Sequence, residues 1–331
     1  MDELIRKLAE AWGPSGFEHH VRDMIRAEVA DLADEITVDP LGNLICRMGS
    51  GPKRVMTAAH MDEIGIIVSH IDRQGYARFA PIGAVFPAML LGTRVRFENG
   101  VVGTVGVEKQ FSSRRDLPTL DGFYIDISAN AGGNAAVNVG DPGAFVGSVE
   151  WREDRLIGKS LDDRLGCAIQ IEVMRRIKAE GTPHTVYFVF TVQEEVGVRG
   201  AGPAAFGVDP HLALVLDVTS PGDTPHGKKA AIELGSGVAL MLRDARHITP
   251  PAVRDLLEKR AEAAGIPCQR GTIVGAGTDA GPIHTVLHGV PTGSLGIPLR
   301  YVHTPSETAD RADIQAAEDL MVAVISQDFT L

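Results

Sequence analysis

Residues 185–195 read Thr-Val-Tyr-Phe-Val-Phe-Thr-Val-Gln-Glu-Glu, an apolar run that ends in two adjacent carboxylates. Its β-branched and aromatic residues predict a buried strand over Thr185–Val192. Two carboxylates in an acidic chain are usually solvated, but Glu194 and Glu195 follow a strand typical of a sheet interior. In open α/β sheets, functional sites form beyond the carboxyl ends of the strands, so this pair predicts such a site.

The same arrangement recurs at three other predicted strands. His60 ends Arg54–Ala59, Asp217 follows Leu212–Leu216, and His303 ends Thr292–Tyr301. A fifth candidate, Asp162, opens the predicted helix Ser160–Glu180 together with Asp163. Strand ends more often carry Gly, Asn or Ser turns. Four strands that each end in a potential metal ligand therefore point to one shared site.

Each signal taken alone has a structural alternative. His60-Met61-Asp62 is compatible with a surface His-x-Asp. An acidic pair at a helix start is favoured by the helix dipole without any further role, which would account for Asp162. His303 is compatible with a hydrogen-bonded core histidine. Asp217 is harder to explain in this way, because a carboxylate at the edge of an apolar core needs a partner.

Together the candidates form a set of two histidines and three carboxylates: His60, Asp162, Glu195, Asp217 and His303. That composition suits two borderline divalent cations, zinc or cobalt, bridged by one carboxylate. Calcium would require more oxygen ligands and no imidazole. Glu194 is then free to act as a base, and Asp62 is placed to accept the other ring N–H of His60.

The remaining pattern predicts two interleaved domains. Strands alternate with helices before about residue 65 and after residue 155, whereas glycines split short β-type runs between them. This predicts a discontinuous α/β domain, 1–65 and 156–331, with an inserted small β domain at 66–155. We also predict a capping box at Ser15-Gly16-Phe17-Glu18 and a surface loop over 129–134.

Composition excludes several classes of protein. The length of 331 residues suggests two domains, and 44% hydrophobic residues are enough for a sizeable core. A net charge of −11 argues against a positively charged surface for binding nucleic acid. We expect no signal peptide and no membrane span, because no long apolar run occurs. Three cysteines without a Cys-x-x-Cys pair indicate neither a disulfide framework nor a zinc knuckle, so the cytoplasm is the expected compartment.

Six short motifs follow one another along the chain. They are His60-Met61-Asp62-Glu63-Ile64-Gly65, Gly158-Lys159-Ser160-Leu161-Asp162-Asp163-Arg164, Val192-Gln193-Glu194-Glu195-Val196-Gly197, Asp217-Val218-Thr219, Gly277-Thr278-Asp279-Ala280 and Arg300-Tyr301-Val302-His303-Thr304-Pro305. In combination they closely resemble the glutamyl aminopeptidase / cellulase M family, the tetrahedral (TET) metallo-aminopeptidases. The resemblance spans nearly the whole chain.

The resemblance implies a role for each residue. Asp162 would bridge both metal ions and would have a cis peptide bond to Asp163. His60 and Asp217 would complete one metal, and Glu195 and His303 the other. Glu194 would act as the general base, and Asp62 would be the partner of His60. The loop Gly277, Thr278, Asp279 would line the substrate pocket. A simple turn is the alternative for that loop.

The resemblance also implies a fold and an activity. The fold is a three-layer α/β/α metallopeptidase domain (phosphorylase/hydrolase-like) with an inserted small β-barrel domain that serves dimerisation and assembly. The activity is that of an aminopeptidase with two divalent ions per chain, acting on peptides with a free N-terminus, in a homo-oligomer from dimer to tetrahedral dodecamer.

The sequence leaves two other classes of function as alternatives. An endoglucanase-type glycoside hydrolase needs two carboxylates and no metal ligands, and the two strand-end histidines argue against it. A non-catalytic assembly protein on a peptidase fold is disfavoured because Glu194 is retained together with all five ligand candidates.

Overall fold

The computed structural model describes residues 1–108, 118–130, 137–225, 227 and 229–331. Within them the chain forms an 11-stranded mixed sheet flanked by helices and a closed barrel of six strands. The predicted loop over 129–134 lies outside the described residues from 131 onward. No helix in the described ranges combines the length and the apolar character needed to cross a bilayer.

The strands are β1 Glu35–Val38, β2 Leu44–Met48, β3 Arg54–His60, β4 Gly65–Ile71, β5 Ala77–Ile82, β6 Arg94–Phe97, β7 Val102–Val107, β8 Phe123–Asp126, β9 Pro142–Phe145, β10 Glu150–Arg152, β11 Arg155–Gly158, β12 Thr185–Thr191, β13 Leu212–Thr219, β14 Val238–Arg243, β15 Cys268–Thr272, β16 Thr292–Arg300 and β17 Glu307–Asp310. The helices are α1 Asp2–Glu10, α2 His19–Val29, α3 Pro87–Leu90, α4 Leu161–Glu180, α5 Ala201–Val208, α6 Pro251–Ala264, α7 Ala280–His284 and α8 Arg311–Ile325.

Four neighbouring parallel strands form the centre of the large sheet. The order is β1-β2-β12-β3-β13-β16-β17-β11-β10, with β14 and β15 paired beyond β16. β12 and β13 both run parallel to β3, and β16 runs parallel to β13. The register sets Thr191 beside His60 and Val215 beside Ala58. The carboxyl ends of these strands therefore meet at one edge of the sheet.

Alternate side chains of the central strands pack against helices on opposite faces of the sheet. On β12, Val186, Phe188 and Phe190 belong to the core shared with α1, α2, α4, α6 and α8. Val189, which points the other way, belongs to a second core shared with α5 and α7. Because successive residues of a strand face opposite sides, one strand serves both layers. The predicted three-layer α/β/α architecture is confirmed.

The barrel has its own apolar interior. Its strands close in the order β4-β5-β8-β7-β6-β9, from Gly65 to Phe145. Its core includes Ile66, Val95 and Ile125. The predicted insertion of a small β-barrel is confirmed, while the domain boundaries 1–65, 66–155 and 156–331 remain a prediction.

The predicted capping box is wrong. α2 begins at His19, and its N-cap residue Glu18 makes no side-chain cap bond. The Glu18 carboxylate accepts the Gly16 N–H at 2.7 Å and the Gln193 N–H at 3.0 Å. The Ser15 hydroxyl donates to Asp62 at 2.6 Å. Both polar side chains are directed to the edge of the sheet rather than to the amides of α2.

Candidate metal centre

Asp162 joins two clusters of potential ligands. One Asp162 oxygen lies 3.0 Å from His60 Nε2, and the other lies 3.2 Å from His303 Nε2. His303 Nε2 is also 3.1 Å from Glu195 Oε1. The ligand atoms of His60, Asp162 and Asp217 lie within 4.8 Å of one another, and so do those of Asp162, Glu195 and His303. All five predicted ligand candidates thus come together in two groups that share Asp162.

The sheet edge brings these side chains together. His60 and Asp217 lie in β3 and β13, whereas Glu195 and His303 follow β12 and β16 after short turns. Asp162 lies in the first turn of α4. The Asp162–Asp163 peptide bond is cis, as the resemblance implied.

Backbone carbonyls orient both imidazoles. His60 Nδ1 lies 3.1 Å from the carbonyl oxygen of Asp62, and His303 Nδ1 lies 3.2 Å from that of Ala84. A carbonyl can only accept, so each Nδ1 carries the proton in these bonds. Each Nε2 therefore faces the carboxylates, which is how metal-binding histidines are usually fixed.

Asp62 contacts more than its histidine. Its carboxylate lies 3.5 Å from His60 Nδ1, but it also accepts the backbone N–H of Glu194 at 3.0 Å and of Glu195 at 3.1 Å. The Ser15 hydroxyl supplies a further hydrogen bond. The side chain predicted as a partner of His60 therefore also fixes the backbone of the two glutamates.

Glu307, which sequence reasoning missed, supports two ligand candidates at once. Its carboxylate accepts the His303 N–H at 2.8 Å and the Asp162 N–H at 3.2 Å. His303 has a φ of 63°, a left-handed conformation that costs energy for a residue other than glycine. The bond from Glu307 stabilises that conformation. The polar segment around Glu307 contains no sequence signal for this role.

Asp163, for which the sequence analysis gave no role, contacts the end of β3. Its carboxylate accepts the N–H of His60 at 3.3 Å and of Gly166 at 3.0 Å. A Cβ atom at Gly166 would lie 2.3 Å from this carboxylate. Position 166 therefore requires glycine if Asp163 is to reach the strand end.

Carboxyl groups are crowded together in this buried site. Burial and the charge of Asp162 raise the pKa of Asp217 well above its ordinary range. Burial likewise raises the pKa of Glu194, against the effect of His60. Burial lowers the pKa of His303, but hydrogen bonds to Asp162 and Glu195 outweigh it and raise the value to about 11.

The donor set fits divalent cations. Within the described part of the chain, no lysine or arginine forms an ion pair with the five ligand candidates, which are His60, Asp162, Glu195, Asp217 and His303. Carboxylates gathered this closely need positive charge nearby. Imidazole mixed with carboxylate is the ligand set of zinc and similar ions.

The barrel contributes one wall of the centre. Besides the Ala84 carbonyl, the Phe86 ring stacks on His303 with centroids 6.2 Å apart and an interplanar angle of 26°. Gly83 has a φ of 74°, and a Cβ there would lie 3.2 Å from Glu195 Cβ and 2.8 Å from Ile64. The insertion supplies none of the five ligand candidates, but it contacts two of them.

In the loop Gly277, Thr278, Asp279, the last residue lies close to this centre. Asp279 is buried and accepts the Thr191 hydroxyl at 2.6 Å, and its charge raises the pKa of Glu194. The Thr278 hydroxyl donates to Asp244 at 3.2 Å. Substrate binding by this loop remains a prediction.

Comparisons with known proteins show the family to which the chain is similar. The family model described as M42 glutamyl aminopeptidase matches residues 42–320. A protein of Acetivibrio thermocellus is 43% identical over 327 residues, 98% of each chain. The solved structure of a TET aminopeptidase from a marine sediment archaeon of the Thaumarchaeota has a TM-score of 0.93 at 35% identity, over 98% of this chain and 96% of that one. A TET1 peptidase of Pyrococcus horikoshii, which can assemble into a tetrahedron or a large octahedral shell, has a TM-score of 0.87 at 29% identity over 98% of each chain.

These findings define the class of protein: a peptidase enzyme with a three-layer α/β/α domain and an inserted barrel. The chain belongs to the M42 glutamyl aminopeptidase family. The family recognised from the six motifs is thereby confirmed.

Proposed function

We propose that the chain is a dinuclear-metal aminopeptidase that removes N-terminal residues from peptides. The observation that carries this proposal is the position of Asp162, whose two oxygens face His60 on one side and His303 on the other. His60 and Asp217 would hold one ion, Glu195 and His303 the other, and Asp162 both. Zinc or cobalt suits this ligand set best.

Two bound ions would supply a Lewis acid for the scissile carbonyl and a water nucleophile at neutral pH. Glu194 is the proposed general base. Its carboxylate hydrogen-bonds no residue that the structure describes, while its backbone N–H is fixed by Asp62. Glu194 accepts a proton from the attacking water as the new C–O bond forms. It then donates that proton to the departing amine nitrogen as the C–N bond breaks.

Selectivity for a free N-terminus is consistent with the charge of the centre. Carboxylates crowd in and around the site, among them Asp62, Asp162, Asp163, Glu194, Glu195, Asp217, Asp279 and Glu307. An excess of buried carboxylates attracts the positively charged α-amine of a peptide. We propose that this amine is bound by a carboxylate or an ion of the centre.

Chelation is the direct test of this function. Exhaustive removal of divalent ions should abolish hydrolysis of aminoacyl chromogenic substrates, and zinc or cobalt should restore it. A panel of such substrates with acidic, basic and neutral side chains would define the side-chain preference. Activity on blocked peptides equal to that on free N-termini would contradict the aminopeptidase assignment.

The glycoside hydrolase alternative remains disfavoured by the geometry. A glycosidase needs two carboxylates flanking a sugar bond. Here the Nε2 atom of His60 faces Asp162 and the Nε2 atom of His303 faces Glu195, as expected of metal ligands. Retained hydrolysis of a glucan after chelation, without peptidase activity, would favour that alternative.

We further propose that the chain forms a homo-oligomer, from dimer to dodecamer, in the cytoplasm. Phe86 and Leu91, at either end of α3, expose 54% and 50% of their surface. Exposed apolar side chains of this size support a contact with another copy. The three cysteines, Cys46, Cys167 and Cys268, are all free, which is consistent with a reducing compartment. Light scattering on the native protein tests the assembly, and a monomeric mass with full activity would contradict it.

A further inference from the structure

Two adjacent histidines at the start of α2 face one carboxylate of the barrel. His19 Nε2 lies 2.9 Å and His20 Nε2 lies 3.1 Å from the same oxygen, Oε1 of Glu98. The three potential ligand atoms lie within 4.8 Å of one another. Glu98 directly follows β6, so the cluster spans the seam between the α/β domain and the barrel. None of the three residues belongs to the centre around Asp162.

This convergence is unusual for neighbours on a helix. Successive helical residues point about 100° apart, so two adjacent side chains do not ordinarily share a partner. His19 and His20 instead bring their ring centroids to 4.1 Å. Because His19 is the first residue of α2, its side chain is less constrained by a preceding turn.

The seam beneath the histidines is fixed by Trp12. Its indole N–H donates to the Arg96 carbonyl of β6 at 3.0 Å, and its ring lies edge-on to His20 at 5.6 Å. Arg96 in turn donates to the carbonyl of Glu10 at 3.1 Å. Trp12 thus contacts both α2 and β6, and Arg96 joins β6 to the end of α1, which places Glu98 opposite the histidines.

We propose that His19, His20 and Glu98 bind a divalent metal ion of the zinc type. Two imidazoles and one carboxylate, with water in the fourth position, form a known zinc ligand set. Tetrahedral bonds of about 2.0–2.1 Å place ligand atoms about 3.3 Å apart. The separations of 2.9 and 3.1 Å require only a small outward movement to admit an ion. The side chains are 39%, 51% and 45% exposed, so both the ion and its water have access.

A hydrogen-bonded trio without metal is the alternative. In it, both imidazoles would donate to one carboxylate oxygen, and no ion would be retained. A metal ion at this position would join α2 to the barrel and would stabilise the seam. Catalysis does not depend on it, because the ligands lie outside the proposed centre.

Zinc content tests the proposal in the full chain. After equilibration with zinc and removal of the unbound ion, the wild type should contain one more zinc per chain than Glu98→Gln or the double variant His19→Ala/His20→Ala. Peptidase activity should be unchanged in both. His70→Ala, which removes an exposed histidine of β4 outside the cluster, is the matched control and should retain the wild-type zinc content. Equal zinc contents in the wild type and the seam variants would overturn the proposal.

The Asp162→Asn background separates this site from the catalytic one. In the Asp162→Asn variant, zinc bound by His19, His20 and Glu98 should still raise the melting temperature. Adding the His19→Ala/His20→Ala substitutions should abolish that rise. An identical rise with and without the two histidines would refute the seam site. Neither result depends on whether the Asp162 centre is catalytic, because the readout is not activity.

Discussion

Asp62 Oδ1 accepts the backbone N–H of Glu194 at 3.0 Å, so a fully buried carboxylate fixes the backbone of the proposed general base. The second oxygen of Asp62 accepts the N–H of Glu195 at 3.1 Å and the Ser15 hydroxyl. One side chain thus sets the positions of a proposed base and a proposed ligand. Glu18 extends this support by accepting the N–H of Gln193.

Replacing Asp62 should therefore affect turnover more than substrate binding. Asp62→Asn offers one acceptor oxygen where the backbone needs two, so the Glu194–Glu195 turn should shift. We expect kcat to fall by about 10²-fold, the size of effect produced by a misplaced catalytic group, with little change in KM. Ser15→Ala, which removes one bond but no acceptor, is the control and should have a much smaller effect. Steady-state kinetics would show this split, and a rise in KM alone would contradict it.

Glu194 and Glu195 are neighbours with different proposed roles. Glu194→Gln preserves shape but cannot accept a proton, so activity should fall by about 10²–10⁴-fold, or about 3–5 kcal/mol of barrier. Its metal content should remain that of the wild type. Glu195→Gln should instead lose one ion. If metal analysis gives the opposite pattern, the two roles are exchanged.

The ends of the central strands were predictable because two signals coincide there. Thr185–Val192 is apolar on both faces, and the carboxylates follow at once, which places Glu194 and Glu195 at the sheet edge. His60 and Asp217 follow the same logic. The pairing of β12 and β13 with β3 then brings the candidates together, a step that needed the resemblance or the structure.

The residues that hold the ligands could not be predicted in this way. Glu307 lies in a polar segment, and its partners, His303 and Asp162, are defined only by the folded backbone. Ser15 and Glu18 carry the local pattern of a capping box, but tertiary contacts with Asp62 and Gln193 outweigh that preference. Local pattern predicts elements, whereas these roles depend on contacts between distant parts of the chain.

The barrel wall should matter for the metal centre. Gly83→Ala places a Cβ 3.2 Å from Glu195 Cβ on a backbone with φ of 74°, so both strain and crowding should displace Glu195. We expect weaker binding of one ion and lower activity at limiting metal, recovered in part by excess zinc. Gly92→Ala has a similar φ of 78° with open space around it, and it controls for backbone strain alone. Equal metal affinity in both variants would contradict the proposed contact.

Asp313 provides a pH test away from the metal centre. Burial raises the pKa of Asp313 to about 6, although the Gly235 and Gly237 amides, each at 2.7 Å, act in the opposite direction. In the unfolded chain the value is about 3.9. The folded state therefore binds this proton more tightly, and the resulting stability is complete below about pH 4 and lost as the pH rises through about 6.

The asparagine variant isolates this effect. Asp313→Asn stays uncharged, so the melting temperature of the wild type relative to the variant should fall between pH 4.5 and pH 7. Differential scanning fluorimetry of both proteins in the same buffers measures it. A difference that stays constant with pH would show that Asp313 does not titrate in this range.

The shared carboxylate is the central claim, and the metal content of Asp162→Asn tests it most directly. His303→Ala should lose one ion per chain relative to the wild type, because only one group contains that histidine. Asp162→Asn should lose both ions of the centre together with all peptidase activity, since the bridging charge is removed. A count relative to the wild type leaves any ion at the seam out of the comparison. If Asp162→Asn kept both ions and full activity, or if the metal-free wild type remained active, the account of a carboxylate-bridged dinuclear peptidase would be contradicted.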